Sequence, residues 1–309
     1  MPVSAHNVTT KKDIVKELQY VTEGNTVTTP SNYGVTPNSS TFTLVGNNID
    51  LNINPDVKMF TVDVLGTEDI IDAVKTESLY AFTIKFNPID TNLWRYVWNA
   101  SGQTVSPDSS LSFTYSFYLG GTEYYQHMRG CRATSGTLSM RRGAWECDMT
   151  FVAKDITIPS TTTGDGGTPV YQTSETSASP IIHTDGGGSP FTWNSATYGE
   201  RSFSTTVTRE MAVMAVNGET DITYCEPVAR RITFNADVFA GTTSQLTTMY
   251  TDFESKTGRT ASYKFTSSPS KTLTFSNARI TDYSYSHAAG SNDALIESIT
   301  AVAESVTDL

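Results

Sequence analysis

The chain has 309 residues and a formal net charge of −11, from 21 basic and 32 acidic side chains. Thr (49) and Ser (33) make up more than a quarter of it, whereas Lys (10), His (4) and Cys (3) are scarce. This balance argues against a duplex-binding surface, which needs a basic patch, and against a disulfide framework or structural zinc site, since Cys131, Cys147 and Cys225 show no CxxC spacing. No apolar run reaches the roughly 18 residues of a membrane-spanning helix. Plentiful Thr, Tyr and Phe favour strands over helices, and a hydrophobic fraction of 38% can support a core.

Along the chain, Met1–Tyr20 has no apolar core of signal-peptide type, which points to synthesis in the cytoplasm without export by that route. Residues 1–41 read as a polar N-terminal arm. Within it, Ile14, Leu18 and Val21 give Lys11–Tyr20 the spacing of a short helix with one apolar face. From Phe42 the pattern alternates as strands do: Thr41–Val45, Ile49–Asn54 and Phe60–Val64, then Tyr80–Phe86, Ser112–Leu119 and Trp145–Ala153. A stretch at 157–190, containing TTTGDGGTP and HTDGGGSP, has the composition of an exposed linker. Strands resume at Ser202–Thr208, Met211–Val216, Arg231–Phe239, Ser262–Thr266, Thr272–Phe275 and Ile296–Glu304. The expected class is all-β with one or two short helices.

The linker divides the chain near its middle, and the two sides share an order of elements. Ala81–Phe86 aligns with Arg231–Ala236 at an offset of 150, and Met149–Ala153 with Ile299–Ala303 at the same offset. Met128–Arg132 aligns with Phe275–Arg279 at an offset of 147. Between these blocks lie two helix candidates, Asn92–Asn99 and Ser244–Ser255; in the second, Leu246, Met249, Tyr250 and Phe253 fall on one face. The chain therefore reads as a first β domain at 42–156 and a second at 191–309, related by duplication.

Catalytic chemistry finds little support. There is no G-x-S-x-G elbow, no H-E-x-x-H, no P-loop and no G-x-G-x-x-G. His6, His127, His183 and His287 are scattered, and His183 with Asp185 offers only two metal-ligand types in a loop. Glu68, Asp69 and Asp72 cluster in an expected turn, and nothing holds a carboxylate pair across a cleft as a glycosidase requires. No cofactor or metal site is expected. The doublets Arg141–Arg142 and Arg230–Arg231 are candidates for inter-subunit contacts, with ordinary surface arginines as the other reading.

The first half ends in YYQHMRGCRATSGTLSMRRGAWECDMTFVAKDI (Tyr124–Ile156) and the second in LTFSNARITDYSYSHAAGSNDALIESITAVAESV (Leu273–Val306). These segments end in small-residue strands, Phe151–Ala153 and Ala301–Ala303. With the arm, linker and strand order, from about residue 40 onward they resemble the tail tube proteins of tailed bacteriophages and archaeal viruses, in the type with two tube-like halves. The resemblance implies β-sandwich domains, each flanked by a short helix, that close into rings around a continuous inner β-barrel. Rings stack into a hollow tube for genome ejection. A duplicated chain would form homotrimeric rings with pseudo-sixfold symmetry, and an unduplicated one hexameric rings.

The implied partners are the chain itself, the tape-measure, tail terminator and baseplate or tip proteins, and viral DNA passing through without specific binding. The implied location is the virion tail, assembled in the host cytoplasm without a membrane. A DNA conduit should repel its cargo mildly. Residues 1–156 carry 16 acidic and 12 basic groups, and residues 157–309 carry 16 and 9. Asp50, Asp63, Glu146, Asp148 and Glu297 are the candidate lumen-facing acids. Contacts between rings would use the arm, a loop near Asp63–Lys75 and the linker. Alternative readings are the tube of a contractile injection system, a surface or adhesive β-sandwich protein, and, weakest, a glycan-active enzyme.

Overall fold

The computed structural model describes residues 17–23, 33–37, 42–63, 70–98, 109–119, 122–141, 144–157, 190–214, 224–267, 270–286 and 295–307. In the first half these form β1 (Glu17–Thr22), β2 (Thr43–Leu44), β3 (Asn47–Asp63), β4 (Ile70–Asn87), α1 (Arg95–Trp98), β5 (Leu111–Leu119), β6 (Thr122–Arg141), β7 (Ala144–Ala153) and β8 (Asp155–Ile156). The second half has β9 (Phe191–Trp193), β10 (Ala196–Met214), β11 (Tyr224–Phe239), α2 (Thr243–Ser255), β12 (Arg259–Ser267), β13 (Ser270–Ser286), β14 (Ile296–Ala303) and β15 (Ser305–Thr307). The fold is all-β, as the composition led us to expect, and among the described residues it has two short helices and antiparallel strand pairings.

The pairing order runs along one path twice. In the first half it is β3, β4, β7, β6, β5, β1, β2, with β8 on β6. In the second it is β10, β11, β14, β13, β12, β9 and back to β10, with β15 on β13. The irregularities recur as well. The β6–β7 ladder slips between Ala133 and Ser135, and the β13–β14 ladder between Ile280 and Asp282. The β5–β6 ladder slips between Leu111 and Phe113, and the β12–β13 ladder between Arg259 and Ala261. Slips at the start of β3–β4 and of β10–β11 also correspond.

Such bulges bend a strand, and β6 and β13 must bend because each pairs first with one layer and then with the other. At the bend Gly130 has φ 61° and Asn277 φ 48°, the left-handed region where glycine and asparagine are tolerated. A side chain at Gly130 would also meet Cβ of Lys154 at 2.6 Å.

The matched slips fix which residues correspond. Arg132 corresponds to Arg279 and Met149 to Ile299, at the offsets of 147 and 150 seen in the sequence. For β4 and β11 the ladders give 152 instead of 150. Phe82 faces Phe151, and its counterpart Phe234 faces Ala301, the counterpart of Phe151. A shift of two keeps every side chain on its own face, so alternation alone cannot detect it.

One core runs through both halves. Phe82, Phe113 and Phe151 meet at centroid distances of 4.9–5.5 Å in the first half. Phe203, Phe234 and Phe275 meet at 4.6–6.2 Å in the second. Each such buried ring contributes roughly 1.5–3 kcal/mol through burial. Helix α2 starts at Thr242, whose hydroxyl accepts from the Gln245 amide, and stops at Lys256 with φ 53°.

Three expectations need correction. Residues 17–22 are strand β1, not helix, and pair with β5 over their full length. Leu18, Gln19, Tyr20 and Val21 are all buried, so the strand is covered on both faces and shows no clean alternation. Residues 17–23 are therefore built into the first half and are not part of a separate arm. Glu23 fixes this. Its buried carboxylate accepts from the hydroxyls of Ser110 and Ser112 and from the amides of Gly34 and Gly130. Finally, Ile70–Lys75, expected in a loop, belong to β4, and Asp72 stands opposite Val62. Glu68 and Asp69 lie outside the described residues, as do most of the Lys11–Tyr20 helix candidate and nearly all of the linker.

Candidate functional site

The two halves join edge to edge. Residues 204–208 of β10 pair with residues 135–139 of β6, from Ser204 opposite Ser139 to Thr208 opposite Ser135. The result is one eight-stranded sheet in the order β3, β4, β7, β6, β10, β11, β14, β13. At this junction Leu138 and Thr205 are both 0% exposed, and the hydroxyls of Thr137 and Thr206 lie 3.0 Å apart. Helix α1 sits over the junction. It comes so close that a Cβ on Gly136 would meet the Trp98 ring at 2.8 Å. Arg209 donates to the carbonyl of Tyr96 at 2.9 Å and Arg230 to that of Trp98 at 2.8 Å. These are last-turn carbonyls, which lack partners within a helix.

The core face of this sheet packs against the second layer, which includes β5, β1, β12, β9 and both helices. The opposite face carries hydroxyls, amides and carboxylates in transverse rows. One row runs Asp50, Lys85, Asp148, Thr137, Thr206, Thr233. Another runs Asn52, Thr83, Thr150, Ser135, Thr208, Arg231. Many of these groups bond one another. Thr83 meets Thr150 at 3.3 Å, and Thr300 donates to Asn235 at 2.8 Å. Asp237 accepts from Ser202 at 2.8 Å and from Ser298 at 2.7 Å. Lys85 is held by Asp148 at 3.4 Å.

The candidate lumen acids separate on this frame. Asp50, Glu146 and Asp148 stand on the polar face. Asp63 lies at the end of β3 opposite Ile70, with its side chain outside the description. Glu297 departs from its expected place. It is 0% exposed on the core face of β14 and accepts from the Tyr283 hydroxyl at 2.7 Å. Burial raises its carboxyl pKa above the usual range. An acid in an alternating strand looks outward by default, and among the described residues the Tyr283 hydroxyl is the donor that makes the inward position tolerable. Asp237 was missed, although its alternation with Asn235 and Thr233 carried the signal.

Of the arginines, Arg230 is used within the chain at the α1 end, Arg231 is exposed opposite Thr208, and Arg141 stands opposite Ala144. Arg142 lies outside the described residues, as do His6, His183, Asp185 and His287. Among the described residues no three His, Cys, Asp or Glu side chains cluster as metal ligands. The three cysteines are free and buried, and Cys147 stands opposite Leu138, well along β6 from Cys131. His127 is buried, and burial with the nearby Arg129 charge lowers its pKa.

The eight-stranded sheet ends on two open edges. Among the described residues, β3 pairs with β4 alone, and residues 282–286 of β13 pair with β14 alone. Open edges template further pairing unless they are covered. Beside the β13 edge Tyr285 is 59% and Tyr250 44% exposed.

Twin β-halves fused through one sheet, with a hydroxyl-lined face and, among the described residues, unpaired terminal strands, define an all-β protein of structural type. The chain matches the model of the phage tail tube protein family over residues 18–306, nearly its whole length, and belongs to that family. It is a structural protein of the virion tail. A comparison with curated proteins gives no match.

Proposed function

We propose that the chain closes into homotrimeric rings with pseudo-sixfold symmetry and that these stack into the hollow tube through which viral DNA is ejected. The observation that carries this reading is the repeated path of strands with its matched bulges. Each chain offers two equivalent units, so three chains offer six. Ring closure removes both open edges. The second layer and the helices cover the core face, so they lie on the outside and the polar face lines the lumen.

That lining suits passage without binding. Phosphate attraction comes from Lys and Arg. On this face the acids Asp50, Glu146, Asp148 and Asp237 outnumber Lys85, which Asp148 holds, and the exposed Arg231, and many hydroxyls and amides bond one another. The tape-measure, terminator and baseplate or tip proteins are the expected partners at the tube's interior and ends. The chain itself does no chemistry in this reading.

Negative-stain microscopy of the purified protein, with the ring mass measured in parallel, tests it. Tubes with a central channel built from three-chain rings are expected. Persistent monomers under assembling conditions would overturn the reading, and rings of six chains would overturn its symmetry.

A further inference from the structure

We infer that neighbouring subunits join by repeating the chain's internal β6–β10 junction, with residues 282–286 of β13 pairing antiparallel to residues 52–56 of β3 in the next subunit. This rests on the ring-forming reading above and adds its register. The bulges map β6 onto β13 at an offset of 147, and β3 onto β10 at 152. Applied to the internal pairs, they set Ser286 opposite Asn52, Tyr285 opposite Ile53, Ser284 opposite Asn54, Tyr283 opposite Pro55 and Asp282 opposite Asp56.

The exposure pattern fits this register. Leu138 is fully buried at the internal junction, whereas its counterpart Tyr285 is 59% exposed. Thr205 is likewise buried, whereas its counterpart Ile53 is half-buried. The surface left uncovered is therefore the one the internal junction covers. Tyr250 of α2 lies 5.9 Å from the Tyr283 ring, at the place over the edge that α1 takes internally. Ser284 and Asn54 replace the Thr137–Thr206 contact with another polar pair.

Two features make this outer junction the weaker one. Arg209 and Arg230, which clamp α1 internally, correspond to Val57 and Ser78. Pro55 lacks an N–H, which removes at most one ladder hydrogen bond. The internal junction is thus permanent, and the outer one can form at assembly.

Paired cysteine substitutions test the register. Asn54→Cys with Ser284→Cys places thiols on strands facing each other, and a short thiol cross-linker should convert assembled rings into covalent trimers on denaturing gels. Asn52→Cys with Asp282→Cys is four residues out of register and should stay monomeric on the same gels. Efficient linkage of the second pair, or none of the first in rings seen by microscopy, would overturn the register while leaving the ring. Absence of rings from the unmodified chain would instead remove the reading on which it rests. Tyr285→Lys, which sets no second carboxylate opposite Glu297, is a second arm. It should keep the unmodified chain's melting temperature and lose ring formation, and rings formed by it would overturn the proposed edge.

Discussion

The hydroxyl of Thr281 donates to the carbonyl of Thr300 at 3.1 Å, across the bulge in β13. Thr134 makes the same bond to Thr150, also at 3.1 Å, across the bulge in β6. Both bonds satisfy a carbonyl at a slip in the ladder and help to hold the bend that lets one strand serve two layers. Thr134→Val should cost about 1 kcal/mol, the usual net worth of such a bond. Thr281→Val should cost less, about half, because Thr281 is exposed and water can take the place of the lost donor. Thermal melts of the two variants would check this order, and equal or reversed losses would count against it.

The first half depends on its N-terminal strand. Removing residues 1–24 takes away β1, which pairs with β5, and Glu23, which holds four donors. The deletion should abolish folded protein, not merely tube growth. Glu23→Ala alone should cost at least about 3 kcal/mol, since each stranded donor costs about 1–3 kcal/mol. Circular dichroism melts would measure it. A variant that melts within a few degrees of the unmodified chain would show that water replaces the carboxylate.

The sequence made strand content, the two-part order and two of three repeat offsets readable because alternation is local. Its reach stopped where tertiary contacts decide. β1 is buried on both faces, so its alternation is hidden. The repeat is blurred because the two cores place their rings differently. Phe82 corresponds to Phe234, but Phe113 and Phe151 correspond to Ala261 and Ala301, while Phe275 replaces Met128 and Phe203 replaces Leu51. Similar space is filled from different strands, so residue identity falls while geometry persists. Asp50, Glu146 and Asp148 stand on the face opposite the core, and the same local alternation separates them from their apolar neighbours. Arg230 was not legible as an internal clamp, because its partner is a backbone carbonyl 132 residues away.

Glu297 should give the fold a measurable pH dependence. Burial raises its carboxyl pKa above the unfolded value, and the Tyr283 hydroxyl bond only partly offsets this. The folded chain therefore keeps a proton that the unfolded chain releases. The associated stability is present below the unfolded carboxyl value and is lost as pH rises through the folded one. Glu297→Gln keeps an oxygen for Tyr283 and removes the titration. It should raise the melting temperature at pH 7 relative to the unmodified chain, with the difference closing towards pH 4. A difference that does not vary with pH would locate the effect elsewhere.

Charge on the polar face should control passage but not assembly. Asp50 is exposed, and Asp148 is partly exposed and, among the described residues, pairs with Lys85, a surface contact worth no more than about 1 kcal/mol. Asp50→Lys with Asp148→Lys sets a lysine on each side of Lys85 and should cost about 1–2 kcal/mol, too little to prevent folding or tube formation. The same change frees Lys85 and adds two cations beside it. With the face lining the lumen, each ring then presents a basic belt to a polyanion, and phosphate contacts of this kind weaken steeply as salt rises. Virions carrying the variant should eject their genome more slowly at low salt and recover as salt increases. The Asp50→Asn, Asp148→Asn variant, which adds no cation, should change ejection much less. Ejection by the lysine variant at the unmodified rate, from tubes of normal appearance, would place the polar face somewhere other than the path of the DNA.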